Sequence, residues 1–192
     1  MESIQYVFLD RDGVLNRKMP EGSYVTRWED FEWLPGAQEA VARMKRAGVT
    51  VILVTNQRAI ALGLLETAGL ESIHAKMMED LERNGARLDA IYYCPHDRAE
   101  CSCRKPEIGL FLQSFHDFPN ANRENSVVIG DSLSDIQAGK RLGMKTVFIL
   151  GEAERQKPGA AEAANSADVI AASLLNAVES YLCLQNKAKT PL

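Results

Sequence analysis

Short runs of β-branched and aromatic residues alternate along this chain with longer stretches whose apolar side chains recur every three or four positions. The runs at 6–9, 50–55, 90–93, 126–129 and 146–150 are nearly free of charge, the pattern of strands buried on both faces. Between them, Ala37, Ala40, Val41 and Met44 follow Pro35-Gly36 at helical spacing and stop at Gly48. Leu70, Ile73, Met77 and Leu81 mark a second helix over 67–84, closed by Gly85; His74 and the Met77-Met78 pair on it read as packing. A third helix over 108–118 is expected to turn Ile108, Phe111, Leu112, Phe115 and Phe118 inward, and a fourth runs from Asp131 to Leu142 with Gly143 as its stop. Val169-Ile170 adds a small strand and 173–182 a closing helix, while the Ala/Glu-rich stretch 151–167 has no decided pattern. Strand–helix alternation of this kind predicts an α/β fold, a parallel sheet with helices on both faces. Residues 1–184 are expected to form one domain and 185–192 a flexible tail.

Composition narrows the function. The chain has 192 residues, 46% of them hydrophobic, enough for one domain with a full core. A net charge of −4 leaves no basic face for nucleic acid, so an anionic ligand has to be held by local cations. No apolar run approaches the length of a membrane span or signal core, and the expected address is the cytoplasm. A monomer is expected. Three of the four cysteines fall within ten residues, which argues against a disulfide framework; Cys183, far from them, reads as a small packed hydrophobe.

In a doubly wound sheet the carboxyl ends of the strands converge on one crevice. Here the first run ends in Asp10-Arg11-Asp12-Gly13, the second in Thr55-Asn56 and the fourth in Gly130-Asp131, with Asp135 four residues on. Asp10 and Asp12 fit either a turn cap or a nucleophile (or metal ligand) paired with a proton carrier. Asp135 fits a capping box with Ser132 as well as a site role. Taken together, several carboxylates with Thr55, Arg104 and Lys105 make a poor core and a good site for a hard metal and a phosphate. The long connection 17–34, rich in charge and aromatics, is too long to be a plain linker.

Cys94 and His96 are two apart, as are Cys101 and Cys103. In extended chain, residues i and i+2 face the same side, so two such arms can present three thiolates and an imidazole to one point. That is a Cys₃His set for structural zinc, with no position left for water. The alternative is free cysteines and a solvated histidine. A zinc there would fix Arg104 and Lys105, which follow the last ligand directly.

Asp10-Arg11-Asp12-Gly13-Val14, Thr55, Lys105 and Gly130-Asp131-x-x-x-Asp135 resemble, in order, the four motifs of the haloacid dehalogenase (HAD) superfamily. Within it, Thr55-Asn56-Gln57 and Tyr92-Tyr93-Cys94-Pro95-His96 leading to Cys101-Ser102-Cys103-Arg104-Lys105-Pro106 resemble the D-glycero-D-manno-heptose 1,7-bisphosphate phosphatases and the related histidinol-phosphatase domains. The resemblance implies a HAD-type Rossmann-like sheet and a phosphoric monoester hydrolase that acts on a small phosphorylated sugar. Asp10 would be the nucleophile and Asp12 the general acid/base. Mg²⁺ would sit on Asp10, the carbonyl of Asp12 and Asp131, with Asp135 in support. Thr55, Asn56, Gln57, Arg58, Arg104 and Lys105 would contact phosphate or substrate, and Cys94, His96, Cys101 and Cys103 would hold Zn²⁺. Histidinol phosphate or another phosphomonoester is the alternative substrate, and a non-catalytic zinc-stabilised phosphosugar-binding domain the alternative function. Arg58-Ala59-Ile60-Ala61-Leu62-Gly63 departs from the family's Ser-Gly-Ile-Ala-Arg-Gly, which bears on substrate choice more than on reaction class. With no insertion for a large cap domain, the site is expected to be open apart from the 17–34 loop.

Overall fold

A computed structural model describes residues 3–98, 101–156 and 158–182. Six strands, β1 (Tyr6–Leu9), β2 (Thr50–Asn56), β3 (Ala90–Cys94), β4 (Ser126–Gly130), β5 (Lys145–Ile149) and β6 (Val169–Ala171), form one sheet in the order β3-β2-β1-β4-β5-β6. Every pairing is parallel. Alternate residues of each strand feed opposite faces. Val7, Leu9, Val51, Leu53, Val127 and Ile129 enter the larger core, with α1 (Ala37–Arg46) and α3 (Thr67–Arg83). Phe8, Ile52, Val54 and Val128 enter a second, with α4 (Gly109–Asp117) and α5 (Leu133–Arg141). A sheet covered on both sides is what the uncharged runs predict.

The helical face of α1 is buried at Ala37, Ala40, Val41 and Met44, and that of α3 at Leu70, Ile73, Met77 and Leu81. On α4 the inward aliphatic residue is Leu110, not Leu112, which is 54% exposed. Starting at Gly109 rather than Ile108, the helix turns Leu110, Phe111 and Ser114 inward together, and Phe111 and Phe115 pack on Phe8. The undecided stretch 151–167 resolves into a 3₁₀ turn Ala153–Arg155 and α6 (Ala160–Ser166), and the 173–182 segment into α7 (Leu174–Ala177) with a π-helical turn Val178–Leu182. A one-turn helix, α2 (Arg58–Ala61), leaves β2 and precedes α3. The 17–34 connection is tied down by a bridge between Asn16 and Trp33 and by a stacked Trp28–Phe31 pair. Among the described residues no helix is long and apolar enough to cross a membrane. The tail 185–192 and Cys183 lie outside the described residues.

Candidate active site

Strand register builds the site. Leu9 lies opposite Leu53 on one side and Ile129 on the other, so Asp10, Thr55 and Asp131 leave three adjacent strands at nearly one level. The strand order reverses at β1, with β2 and β3 to one side and β4 to β6 to the other, and that reversal opens the crevice at the carboxyl edge. Asp10 is anchored by its N–H to the Ile129 carbonyl at 3.0 Å. The chain then turns at Gly13, whose φ of 95° suits glycine and whose N–H donates to the Asn16 carbonyl at 2.7 Å. A Cβ at this position would fall 2.0 Å from Asp131 Oδ2, so Gly13 also makes room for that carboxylate. Gly130 does the same for Asp135, whose Cγ would lie 2.3 Å from a Cβ placed there.

Lys105 is the cation at the centre. Its ammonium lies 2.9 Å from Asp10 Oδ1 and 2.6 Å from Asp135 Oδ1, and it donates to the Val54 carbonyl at 2.5 Å. Burial works against its charge, yet Asp10 and Asp135 outweigh that and raise its pKa, so it stays protonated. Asp135 also accepts from the Ser132 backbone N–H at 3.1 Å and the Ser132 hydroxyl at 2.5 Å, a complete capping box at the start of α5. Its cap and its contact with Lys105 coexist: one oxygen serves each.

Asp12 faces a different set of partners. Arg11 Nη2 donates to both of its oxygens at 3.0 Å, Asn16 Nδ2 donates to Oδ1 at 2.9 Å, and Gln57 Nε2 donates to Oδ2 at 3.2 Å. Gln57 also donates to Thr55 Oγ1 at 2.9 Å, which joins the end of β2 to the turn after β1.

Two residues expected at the substrate are engaged elsewhere. The Asn56 amide brackets the backbone of Lys105, accepting from its N–H at 3.0 Å and donating to its carbonyl at 3.1 Å. Asn56 thus sets the position of Lys105. Arg58 forks onto Asp97 at 2.5 and 3.0 Å. Those bonds raise the Arg58 pKa, and Arg58 in turn holds Asp97 at about 2. The geometry ties the exit of β2 to Asp97 in the segment after β3. Arg104 is half-buried, with Nη1 donating to the His96 carbonyl at 3.2 Å.

Two groups of side chains have the chemistry of metal sites. Carboxylate oxygens of Asp10, Asp131 and Asp135 lie within 4.8 Å of one another and are all buried, a hard-oxygen set suited to Mg²⁺. The carboxylate of Asp12 is outside this group. The second group is Cys94, His96, Cys101 and Cys103, again within 4.8 Å. Cys94 Sγ stands 3.6 Å from His96 Nδ1, 3.5 Å from Cys101 Sγ and 3.1 Å from Cys103 Sγ. Zn–S bonds of about 2.3 Å define a tetrahedron with edges of about 3.8 Å, close to this spacing. Burial pushes the Cys94 thiol up. It opposes ionisation of Cys101 too, but donors from Cys103 and the backbone N–H groups of Arg104 and Cys103 bring that thiol down to about 7.

Lys18 and Asn16 reach the site, as does Arg11 of the Asp10–Gly13 turn, and His74, read from the sequence as packing, hydrogen-bonds Arg11 at 3.4 Å. Lys18 comes from the 17–34 connection, is 8% exposed and forms an ion pair with Asp131. Its carbonyl accepts from Arg155 at 2.5 Å, and Arg17 and Arg155 both pair with Glu152, so the connection is strapped to the segment after β5. Gly13, Lys18, Asp131, Arg155 and Gln156 line a recess on that side. For Lys18 the one signal in the sequence is a cation five residues past Gly13 in a segment without periodicity.

A family model described as HAD-hydrolase-like matches residues 102–177. The D-glycero-alpha-D-manno-heptose-1,7-bisphosphate 7-phosphatase of Mycobacterium bovis is 40% identical over 132 residues, 68% of this chain and 69% of that one. The D-glycero-beta-D-manno-heptose-1,7-bisphosphate 7-phosphatase of Escherichia coli is 35% identical over 181 residues, 90% of this chain and 92% of that one. A crystal structure of D,D-heptose 1,7-bisphosphate phosphatase from B. bronchiseptica, complexed with magnesium and phosphate, superposes with a TM-score of 0.83 at 30% identity, covering 94% of this chain and 99% of that one. With relatives this similar over most of its length and the same sheet, the chain belongs to the HAD-like phosphatases, enzymes that hydrolyse phosphoric monoesters with Mg²⁺.

Proposed function

We propose that the protein removes the 7-phosphate of a D-glycero-D-manno-heptose 1,7-bisphosphate. The observation that carries the chemistry is the buried ammonium of Lys105 held between Asp10 and Asp135 at the carboxyl edge of the sheet. A phosphoryl group brought to Asp10 meets that cation, with the Thr55 hydroxyl at the end of the neighbouring strand. Asp10 attacks phosphorus in line, the bond from phosphorus to the sugar oxygen breaks, and an aspartyl-phosphate forms. Asp12, which takes up a proton before bond cleavage, gives it to the leaving oxygen, then takes one from the water that attacks the aspartyl-phosphate. The buried oxygens of Asp10 and Asp131, with the Asp12 carbonyl, would hold Mg²⁺, which when bound neutralises phosphoryl charge. Asp135 supports the site through Lys105.

The names of the relatives support the heptose substrate. One Zn²⁺ on Cys94, His96, Cys101 and Cys103 would fix the segment that carries Arg104 and Lys105. With Arg58 committed to Asp97, Arg104 is a cation available to meet a second phosphate on the zinc-loop side. Phosphate release from both anomers of heptose 1,7-bisphosphate, from heptose monophosphates and from histidinol phosphate tests the reading. One bisphosphate anomer is expected to be the best substrate, by roughly ten- to hundredfold over a monophosphate that lacks the charge-assisted contact. Equal rates on all of them, or a preference for histidinol phosphate, would overturn the assignment.

A further inference from the structure

Arg11 is 1% exposed, the bulkiest fully buried side chain among the described residues, and the reaction as drawn gives it nothing to do. A guanidinium cannot shed its proton, so burying it is costly unless every part of the fork is matched. Two of its nitrogens are spent on Asp12: Nη2 meets both carboxylate oxygens at 3.0 Å and Nε approaches Oδ1 at 3.4 Å. The third, Nη1, meets Nε2 of His74 at 3.4 Å.

Arginine has only donors, so His74 must accept through Nε2 and carry its proton on Nδ1. His74 sits on the buried face of α3, edge-on to Tyr93 of β3 at 6.1 Å between ring centroids. Burial and the charge of Arg11 keep the imidazole neutral, as an acceptor has to be. Asn16 and Gln57 complete the ring of donors around Asp12.

We infer that Arg11 and His74 are positioning residues for proton transfer: neutral His74 aims the Arg11 guanidinium, which fixes where the Asp12 side chain stands when it exchanges a proton with the leaving-group oxygen. This rests on the assignment of Asp12 as proton carrier. Neither residue touches substrate. Their effect is on where the Asp12 oxygens stand, and it is felt only when a bond-breaking step needs a proton.

That dependence supplies the test. First-turnover rates are measured by rapid quench with excess Mg²⁺-loaded enzyme on two esters, a sugar phosphate and 4-nitrophenyl phosphate. The first must be protonated as it leaves and the second leaves as a stable phenolate. His74→Leu removes the acceptor and keeps an apolar side chain of similar bulk; His74→Gln restores an acceptor near the place of Nε2. His74→Leu is expected to slow the first turnover of the sugar phosphate about tenfold, with nitrophenolate release within about twofold of wild type. His74→Gln should recover most of the loss. Arg11→Met should show the same asymmetry more strongly, and the histidine pair decides the question if that variant does not fold. Equal slowing of both esters by His74→Leu, or slowing of neither, would overturn the inference. Asp12→Asn is the control: if it discriminates between the esters while His74→Leu does not, the positioning inference alone fails. If Asp12→Asn itself does not discriminate, the role of Asp12 falls and the inference with it.

Discussion

The two segments that meet at Lys105 are held in place by different means. On one side Asp10 and Asp131 stand at the ends of central strands, in register with neighbours through a parallel ladder and packed between two cores. On the other the 94–105 segment leaves an edge strand, and what fixes it is side-chain chemistry: the Cys/His set, the Arg58–Asp97 fork and the Asn56 bracket. Strand ends place carboxylates without further help because backbone hydrogen bonds set their level. A loop placing a cation beside them lacks a ladder, and cross-links substitute for it. The carboxylate half of the site is therefore expected to survive changes that the cationic half does not.

The sharpest contrast is in the chemistry of the strand-end half. Asp10→Asn should lower turnover by at least about 10³-fold, measured as phosphate release, with the circular dichroism spectrum and melting temperature close to wild type. Near-normal turnover would remove the covalent step. Asp12→Asn should cost about 10²–10⁴ in rate and likewise leave the fold intact.

The loop half should behave in the opposite way. Protein purified without added metal is expected to carry one Zn²⁺ per chain by elemental analysis. Cys103→Ser should lose it, with a melting temperature about 10 °C lower and activity down about tenfold through Lys105. Full activity after zinc removal would show that the strand ends position Lys105 alone.

The smallest effect is a pH dependence that belongs to His74. Its pKa is pushed down to about 3 by burial first and by the charge of Arg11 second, against about 6.5 in an unfolded chain. Below pH 6.5 the unfolded chain binds a proton that the native state refuses, so stability rises with pH there and falls on acidification toward pH 3. Between pH 7 and pH 5 this costs about 2 kcal/mol, readable by urea denaturation at the two values. His74→Gln should remove that share of the slope; an unchanged slope would mean that His74 is charged or solvated.

Much of the site was legible before any coordinates. The Asp-x-Asp-Gly turn, Thr55, Lys105 and the Gly-Asp-x-x-x-Asp segment fall where buried strands end or a helix begins, and the structure brings them together. Cysteine spacing anticipated a cluster whose ligand atoms do converge. What stayed hidden were charges whose partners are distant in the chain. Arg58 reads as a free cation at a strand exit, yet its partner Asp97 lies 39 residues away, and Arg11 and His74 are 63 apart. Leu112 faces out for a related reason: an apolar residue near the edge of a helical stripe goes in or out with a small shift in where the helix starts.

By itself, then, the sequence determined the strands, the longer helices, the order of the motifs and the Cys/His set, because period and turn chemistry are local properties of a chain. Tertiary structure decided which cation meets which carboxylate: Lys105 with Asp10 and Asp135, Lys18 with Asp131, Arg58 with Asp97, Arg11 with Asp12 and His74. A charged side chain taken out of water must find a partner, and which partner is within reach depends on strand register and on how the connections cross the sheet edge. Neither of those is written in any local stretch of residues.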